Sequence, residues 1–223
     1  VRLFTINFIN NPKREIKKIK DVLDRLTGVE KGGRDHLAKY RKNYRYAKLE
    51  QRQYLSQYVT GGENDAEISA RLKAISSAEE PLSVQFLMKR CLSSLGIQKY
   101  GSKVEERMKG LIGLCDLKSE ELCGRTYLRK TDKCLECDFY RVEAEPIRRS
   151  EEDFTPYEMI ALIKGLLENK VSLYMDELLS LVCAELKVSR PSDRFAAFVG
   201  ECVSLGVERA LFVRSVSDRI SLS

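Results

Sequence analysis

Residues 97–115, IQKYGSKVEERMKGLIGLC, decide how the chain is read. A short extended lead-in is followed by a turn at Gly101 and by Ser102 as a candidate N-cap. Val104, Met108, Leu111, Ile112 and Cys115 then fall on one face of a helix at about 100° per residue. A shift of 91 positions gives a second copy, residues 188–206, VSRPSDRFAAFVGECVSLG. Ile97 falls on Val188, Lys99 on Arg190, Lys103 on Arg194, Val104 on Phe195, Met108 on Val199 and Ile112 on Val203. Identities are few, but the apolar and basic positions agree. In each copy an amphipathic helix precedes the stretch and a candidate strand pair follows it. The order helix, helix, turn, helix, hairpin is that of a winged helix. The expected fold is α+β, mainly α with small β wings, as tandem winged-helix units preceded by a helical arm.

Working outward, the first unit spans residues 64–142. Its first two helices cover 66–77 and 83–95, with Ser83 as an N-cap and Gly96 as the left-handed residue that stops the second. Its wing occupies 123–141, with strands near 126–129 and 137–142 and a turn at Thr131-Asp132. A charged linker, 143–153, contains Pro146. The second unit spans 154–223. It opens on Thr155-Pro156-Tyr157-Glu158, a Thr cap with Pro first and Glu where a capping box needs it. Helices over 174–186 and 192–205 follow, the latter ended by Gly206, then a hairpin of 210–213 and 219–222. On the N-terminal side, residues 1–9 read as a strand and 13–26 as a helix. Residues 35–63 read as a basic, Tyr-rich linking helix, carrying Tyr40, Tyr44, Tyr46, Tyr54 and Tyr58 among arginines, with the helix over 35–59 broken by Gly61-Gly62.

Charge is unevenly placed. The chain of 223 residues has a net charge of +6, yet residues 1–60 hold 15 Lys and Arg against 6 Asp and Glu, and the remainder 24 against 27. That asymmetry points to nucleic acid or another acidic partner for the arm, although a solvated helix face accounts for the same charges. No apolar run approaches the roughly 20 residues of a membrane span, and no signal-peptide pattern opens the chain. Seven cysteines without a secretory signal fit a reducing, cytoplasmic setting. Opening at Val1 inside an apparent core strand, the sequence reads as a piece of a longer protein.

The third helix of a winged helix usually enters the major groove while the wing touches the backbone. The outward face of the first copy carries Ser102, Lys103, Glu106, Lys109, Gly110 and Gly113; that of the second carries Asp193, Ala197, Gly200, Glu201 and Ser204. The first is therefore the better DNA reader. The candidate nucleic-acid contacts are Lys99, Ser102, Lys103 and Lys109, with Arg125, Arg129 and Lys130 on the wing, and Arg190 and Arg194 flanking the second helix. Cys134-Leu-Glu-Cys137 is a CxxC, and with Cys123 it makes a weak case for a structural zinc ion. Cys91, Cys183 and Cys202 fit as small core residues. The only His is His36, and no phosphate loop or nucleophile elbow is present. No cofactor and no catalysis are expected.

With these residues in view, the chain resembles the C-terminal region of large bacterial helicase-related proteins. These join a superfamily 1 helicase core to a Vsr-like endonuclease-fold domain and a further C-terminal tail. Residues 1–15, VRLFTINFINNPKRE, are similar to the last strand and helix of the endonuclease-fold domain: Arg2, Thr5, Pro12 and Glu15 fit, while Phe4 and Phe8 stand where the family has tryptophans. Phe139-Tyr140-Arg141-Val142, Thr155-Pro156-Tyr157-Glu158 and residues 74–101 are similar to the tail. The resemblance implies that residues 1–34 end an upstream endonuclease-fold domain. It also implies that the ATPase motifs and nuclease carboxylates precede Val1. The chain would then be a non-catalytic accessory module whose partners are DNA and those upstream domains, or a docking module that positions them.

Overall fold

Thr155 shows how local sequence sets an element in this chain. Its Oγ1 accepts from the Glu158 N–H at 3.3 Å, and the Glu158 carboxylate accepts in return from the Thr155 N–H at 3.2 Å. Pro156 takes the first helical position, where no intrahelical bond is forfeited. The expected capping box is present. The computed structural model describes residues 35–131, 138–142, 149–150 and 153–223. The strand and helix expected within 1–34, Asp132 of the expected turn, the CxxC and most of the 143–153 linker lie outside the described residues.

After a 3₁₀ turn, His36–Lys39, come β1 (Arg41–Asn43) and α1 (Gln57–Thr60). The first half then runs α2 (Asp65–Glu79), β2 (Leu82–Ser83), α3 (Val84–Ser94), α4 (Ser102–Gly113), β3 (Lys118–Leu122) and β4 (Arg125–Arg129). Strand β5 (Tyr140–Val142) leads to the second half: α5 (Pro156–Leu167), β6 (Leu173–Tyr174), α6 (Met175–Leu186), α7 (Asp193–Glu208), β7 (Phe212–Arg214) and β8 (Arg219–Leu222). The fold is α+β, helices with sheets of two or three strands. Among the described residues no helix is long and apolar enough to cross a membrane.

The two halves repeat. Asp65 and Pro156, Leu82 and Leu173, Val84 and Met175, Ser102 and Asp193 each begin corresponding elements, 91 residues apart. The hairpins start 94 apart because α7 is longer than α4. Both three-stranded sheets place the last hairpin strand in the middle, β2-β4-β3 and β6-β8-β7, antiparallel throughout. Even the stop after the second helix recurs: Gly96 at φ +80° is matched by Lys187 at φ +57°. Each half has its own core. Ile68, Leu72, Leu87, Met108 and Ile112 centre the first, and Ile160, Ile163, Phe195, Val199 and Ile220 the second. The inward faces read from the third helices are all buried, as are Cys91, Cys183 and Cys202.

Four expectations are corrected. The helix over 35–59 is replaced by β1, an irregular stretch and the single turn of α1. Its tyrosines serve different partners rather than one face. Tyr40 packs on α5, where a Cβ at Gly165 would lie 2.7 Å from its ring. The Tyr44 N–H donates to Val142 O, and the Arg52 and Tyr54 N–H groups donate to the Ser94 and Leu95 carbonyls at the end of α3. These tertiary partners override helical propensity. The first hairpin is formed by β3 and β4, joined at Cys123-Gly124, whereas 140–142, expected as a hairpin strand, form β5 and pair in parallel with β1. Gly101, not Ser102, precedes α4 as its cap. Gly206 lies inside α7 and is buried, because the Phe212 ring packs where its side chain would stand.

Candidate nucleic-acid interface

The outward face of α4 is the clearest surface of the first half. Lys99, Ser102, Lys103, Glu106, Lys109, Gly110 and Gly113 are all exposed. A Cβ placed on Gly110 or Gly113 would meet nothing within 4 Å, so a backbone can approach closely there. Charge on this face is mixed: Lys109 Nζ pairs with Glu105 Oε1 at 2.6 Å, and Arg107 pairs with Asp65 on α2. Such exposed pairs contribute little to stability. Between α1 and α4 lies an open groove of about 370 Å³ lined by Thr60, Lys103, Glu106, Arg107 and Gly110.

The hairpin of β3 and β4 does not extend this surface. Its arginines turn toward the second half. Arg129 Nη1 donates to Glu120 Oε2 at 2.8 Å, and the same carboxylate accepts from the Tyr157 hydroxyl and lies 3.7 Å from Arg209 Nη2. Burial first, then the Glu120 hydrogen bond, pushes the Tyr157 hydroxyl up from its ordinary value, so it stays a donor. The Arg125 guanidinium sits 5.5 Å from the centre of the Phe198 ring on α7. Lys130 donates its backbone N–H to Glu80 and leaves its side chain exposed.

Arg125 and Arg194 share a cleft. It measures about 410 Å³ and is also lined by Gln85 and Lys89 of α3, Tyr100, Ser150 and Asp153. Arg190 is exposed before α7. The basic arm contributes a third recess of about 600 Å³, lined by Lys42, Asn43, Arg45, Glu80, Phe139 and Arg141, with Lys42 Nζ 3.6 Å from the centre of the Phe139 ring. The nine candidate residues therefore do not form one patch. Lys103 lines the α4 groove, Arg125 and Arg194 line the cleft between the halves, and Arg129 holds the hairpin down. Lys89 and Tyr100 were missed in sequence. Nothing in the sequence pattern places Lys89 in one cleft with Arg194.

For the zinc reading, Cys134 and Cys137 lie outside the described residues. Among the described residues no group of three His, Cys, Asp or Glu is placed to hold a metal ion. Cys115 is buried in the first core, its Sγ 3.4 Å from Leu111 O, whereas Cys123 packs against the second.

The most elaborate polar arrangement escaped the sequence reading. Glu158 is buried between two guanidiniums: Arg141 reaches it at 2.8 and 2.9 Å, Arg149 at 2.9 and 2.7 Å. Arg141 also donates to the carbonyls of Glu79, Glu80 and Pro81 in the first half. Both guanidiniums lie over the Tyr44 ring, at 4.7 and 4.9 Å. Glu79, fully buried, accepts from the Tyr44 hydroxyl, the Ala47 N–H and Arg90. Every charge in this cluster is paired and hydrogen-bonded, the condition under which buried charges persist. It is a joint between the halves rather than a binding site. No family model matches the chain, and no curated protein matches it.

Proposed function

We propose that residues 37–223 are two winged-helix units joined into one non-catalytic block that binds nucleic acid through the outward face of α4 and the basic arm. The doubled order of helix, strand, helix, helix and hairpin, with its last strand central, supports the winged-helix reading. The observation that carries the nucleic-acid reading is the α4 face itself. Lys103 and Lys109 are exposed along it, with Lys99 exposed in the lead-in before it, beside two glycines with open space above them. Lysines and close-approach glycines suit a phosphate backbone more than base edges, so binding is expected to be weakly sequence-dependent. The attachment of this block to helicase and nuclease domains rests on the resemblance alone.

One observation favours protein docking for the second half. Val171, Tyr174, Val207, Val213 and Val216 are all exposed there. Tyr174 stands opposite Arg219 and Val213 opposite Ser221, which puts these four on the outer face of the second sheet. Tyr174 and Val213 are exposed there beside Arg219 and Ser221, and exposed apolar side chains gathered in one half are a mark of a partner site.

Anisotropy of a labelled duplex and a labelled single strand, across a salt series, tests the leading reading. Binding that falls steeply with salt, and that is lost in the Lys103→Glu, Lys109→Glu double variant, supports it and shows the preferred strand form. A folded chain that binds neither probe at low salt sinks it and leaves docking through the second sheet.

A further inference from the structure

Cys123 and Cys202 come from opposite halves and meet. Leu122 pairs with Arg125, so Cys123 and Gly124 form a two-residue hairpin turn, with φ of +49° and +64°. Two left-handed residues in succession are the type I′ arrangement, for which Asn, Asp and Gly are the usual choices. A cysteine there is strained, and turn chemistry gives no reason for it. Its side chain supplies one. Cys123 packs against the second core, and its thiol is hydrogen-bonded to that of Cys202, a fully buried residue of α7.

The two sulfurs differ in access. Cys123 is only half-buried, within reach of a small oxidant, while Cys202 waits behind it. The hydrogen bond with Cys202 is the largest influence on Cys123 and lowers its pKa. Burial and Glu201 oppose this, Arg125 and Arg209 assist it, and the net direction is down. The Tyr127 hydroxyl beside the pair is pushed up, chiefly by burial, and stays neutral. Elsewhere burial pushes Cys91 up to about 12 and also raises Cys115. Thiolate character and exposure together mark the cysteine that oxidises first.

We propose that Cys123 and Cys202 are an oxidisable pair that closes a disulfide between the first hairpin and α7 when the chain meets a peroxide. The Cys123 thiolate attacks one peroxide oxygen, the O–O bond breaks, and hydroxide leaves and is protonated to water. The Cys123 sulfenic acid is then attacked by the Cys202 sulfur, which gives up its proton. The S–O bond breaks, and the departing hydroxide takes that proton. Two thiols and one hydrogen peroxide give one disulfide and two waters. The bond ties residue 123 to residue 202 and fixes the hairpin on the second half. This does not depend on nucleic-acid binding.

The test is mild hydrogen peroxide on the full chain, alkylation of the remaining thiols and peptide mapping by mass spectrometry. The expected result is a cross-linked peptide containing Cys123 and Cys202, reversed by dithiothreitol, with a higher melting temperature in the oxidised form. Mapping separates it from any closure of the Cys134–Cys137 pair. Cys123→Ser, at a half-exposed turn, is expected to fold, lose the cross-link and lose the oxidative rise in melting temperature; Cys202→Ala is expected to leave Cys123 at the sulfenic or sulfinic stage. Peroxide treatment that leaves both thiols alkylated overturns the proposal, as does oxidation of Cys123 without linkage in the unsubstituted chain.

Discussion

Arg141 and Glu158 form a buried, two-pronged ion pair, Nε to Oε1 at 2.8 Å and Nη2 to Oε2 at 2.9 Å. Arg141 sits on β5 and Glu158 in the first turn of α5, and the pair closes the second half around the loop that ends α2 of the first. Glu158 also completes the cap of its own helix through Thr155. One carboxylate thus serves local helix initiation and the joint between the halves.

Removing that carboxylate leaves two guanidiniums facing each other in a dry site. Glu158→Gln is expected to destabilise the chain by roughly 3–5 kcal/mol, read as a lower midpoint in urea unfolding. Arg141→Lys keeps the charge but cannot span the carboxylate and three carbonyls, because an ammonium is a point donor rather than a fork. A loss of about 1–3 kcal/mol is expected. Wild-type stability in Arg141→Lys would mean that the charge alone matters and the fork does not.

The same carboxylate sets an acid limit. Burial pushes Glu158 up, but the Arg141 and Arg149 guanidiniums outweigh it and hold its pKa well below the usual carboxylate range. A group depressed in the folded state contributes fully above its unfolded pKa, about 4.3 for Glu. The contribution then erodes as pH falls from there toward the folded value. Stability measured by urea titration is expected to be level in Glu158 above pH 5 and to drop below about pH 4.3. The drop should be shallower in Glu158→Gln. Equal slopes in the two proteins would assign acid unfolding to other groups, of which Glu67 and Glu168 are also lowered by hydrogen bonds, from Tyr58 and Lys39 respectively.

The repeat was legible because it rests on periodic apolar positions. Val104, Met108 and Ile112 share helical spacing with Phe195, Val199 and Val203, and the 91-residue offset holds at four element starts. Caps at Ser83 and Thr155 were legible for the same local reason. The joint was not. Glu158 was legible only as the acid of its helix cap, and nothing local pairs Arg141 with that carboxylate or with a carbonyl 62 residues earlier. The tyrosines at 40, 44, 54 and 58 misled because a spacing of four mimics a helix face. Tyr54 and Tyr58 do stack, with centroids 3.9 Å apart, but in a chain that turns between them. The candidate site was legible on α4, where exposure follows from spacing, and not on the wing, whose arginines answer to Glu120 and Phe198.

Gly206 gives a packing test. A Cβ there would lie 2.2 Å from the Phe212 ring, which is itself 2% exposed and cannot swing outward without leaving the core. Gly206→Ala is expected to cost about 1–3 kcal/mol through overpacking, despite alanine's better helix propensity. Gly110→Ala, on the open side of α4, is expected to gain up to about 1 kcal/mol. Thermal melts of the two variants should move in opposite directions.

Glu120 decides whether the first hairpin is a wing or a strut. Its carboxylate takes Arg129 from its own hairpin, the Tyr157 hydroxyl from α5, and Arg209 from the end of α7. It is half-buried, so the loss from Glu120→Ala should be modest, about 1–3 kcal/mol, and local. Amide exchange in β3 and β4 is expected to accelerate well beyond that of α2 and α3, whose packing within the first core is untouched. If protection falls evenly across the first half, the hairpin is held by the sheet alone and Glu120 is incidental. If exchange rises in the hairpin alone, the first wing is held against the second half by this carboxylate. Arg129 is then available to a ligand only after that hold is released.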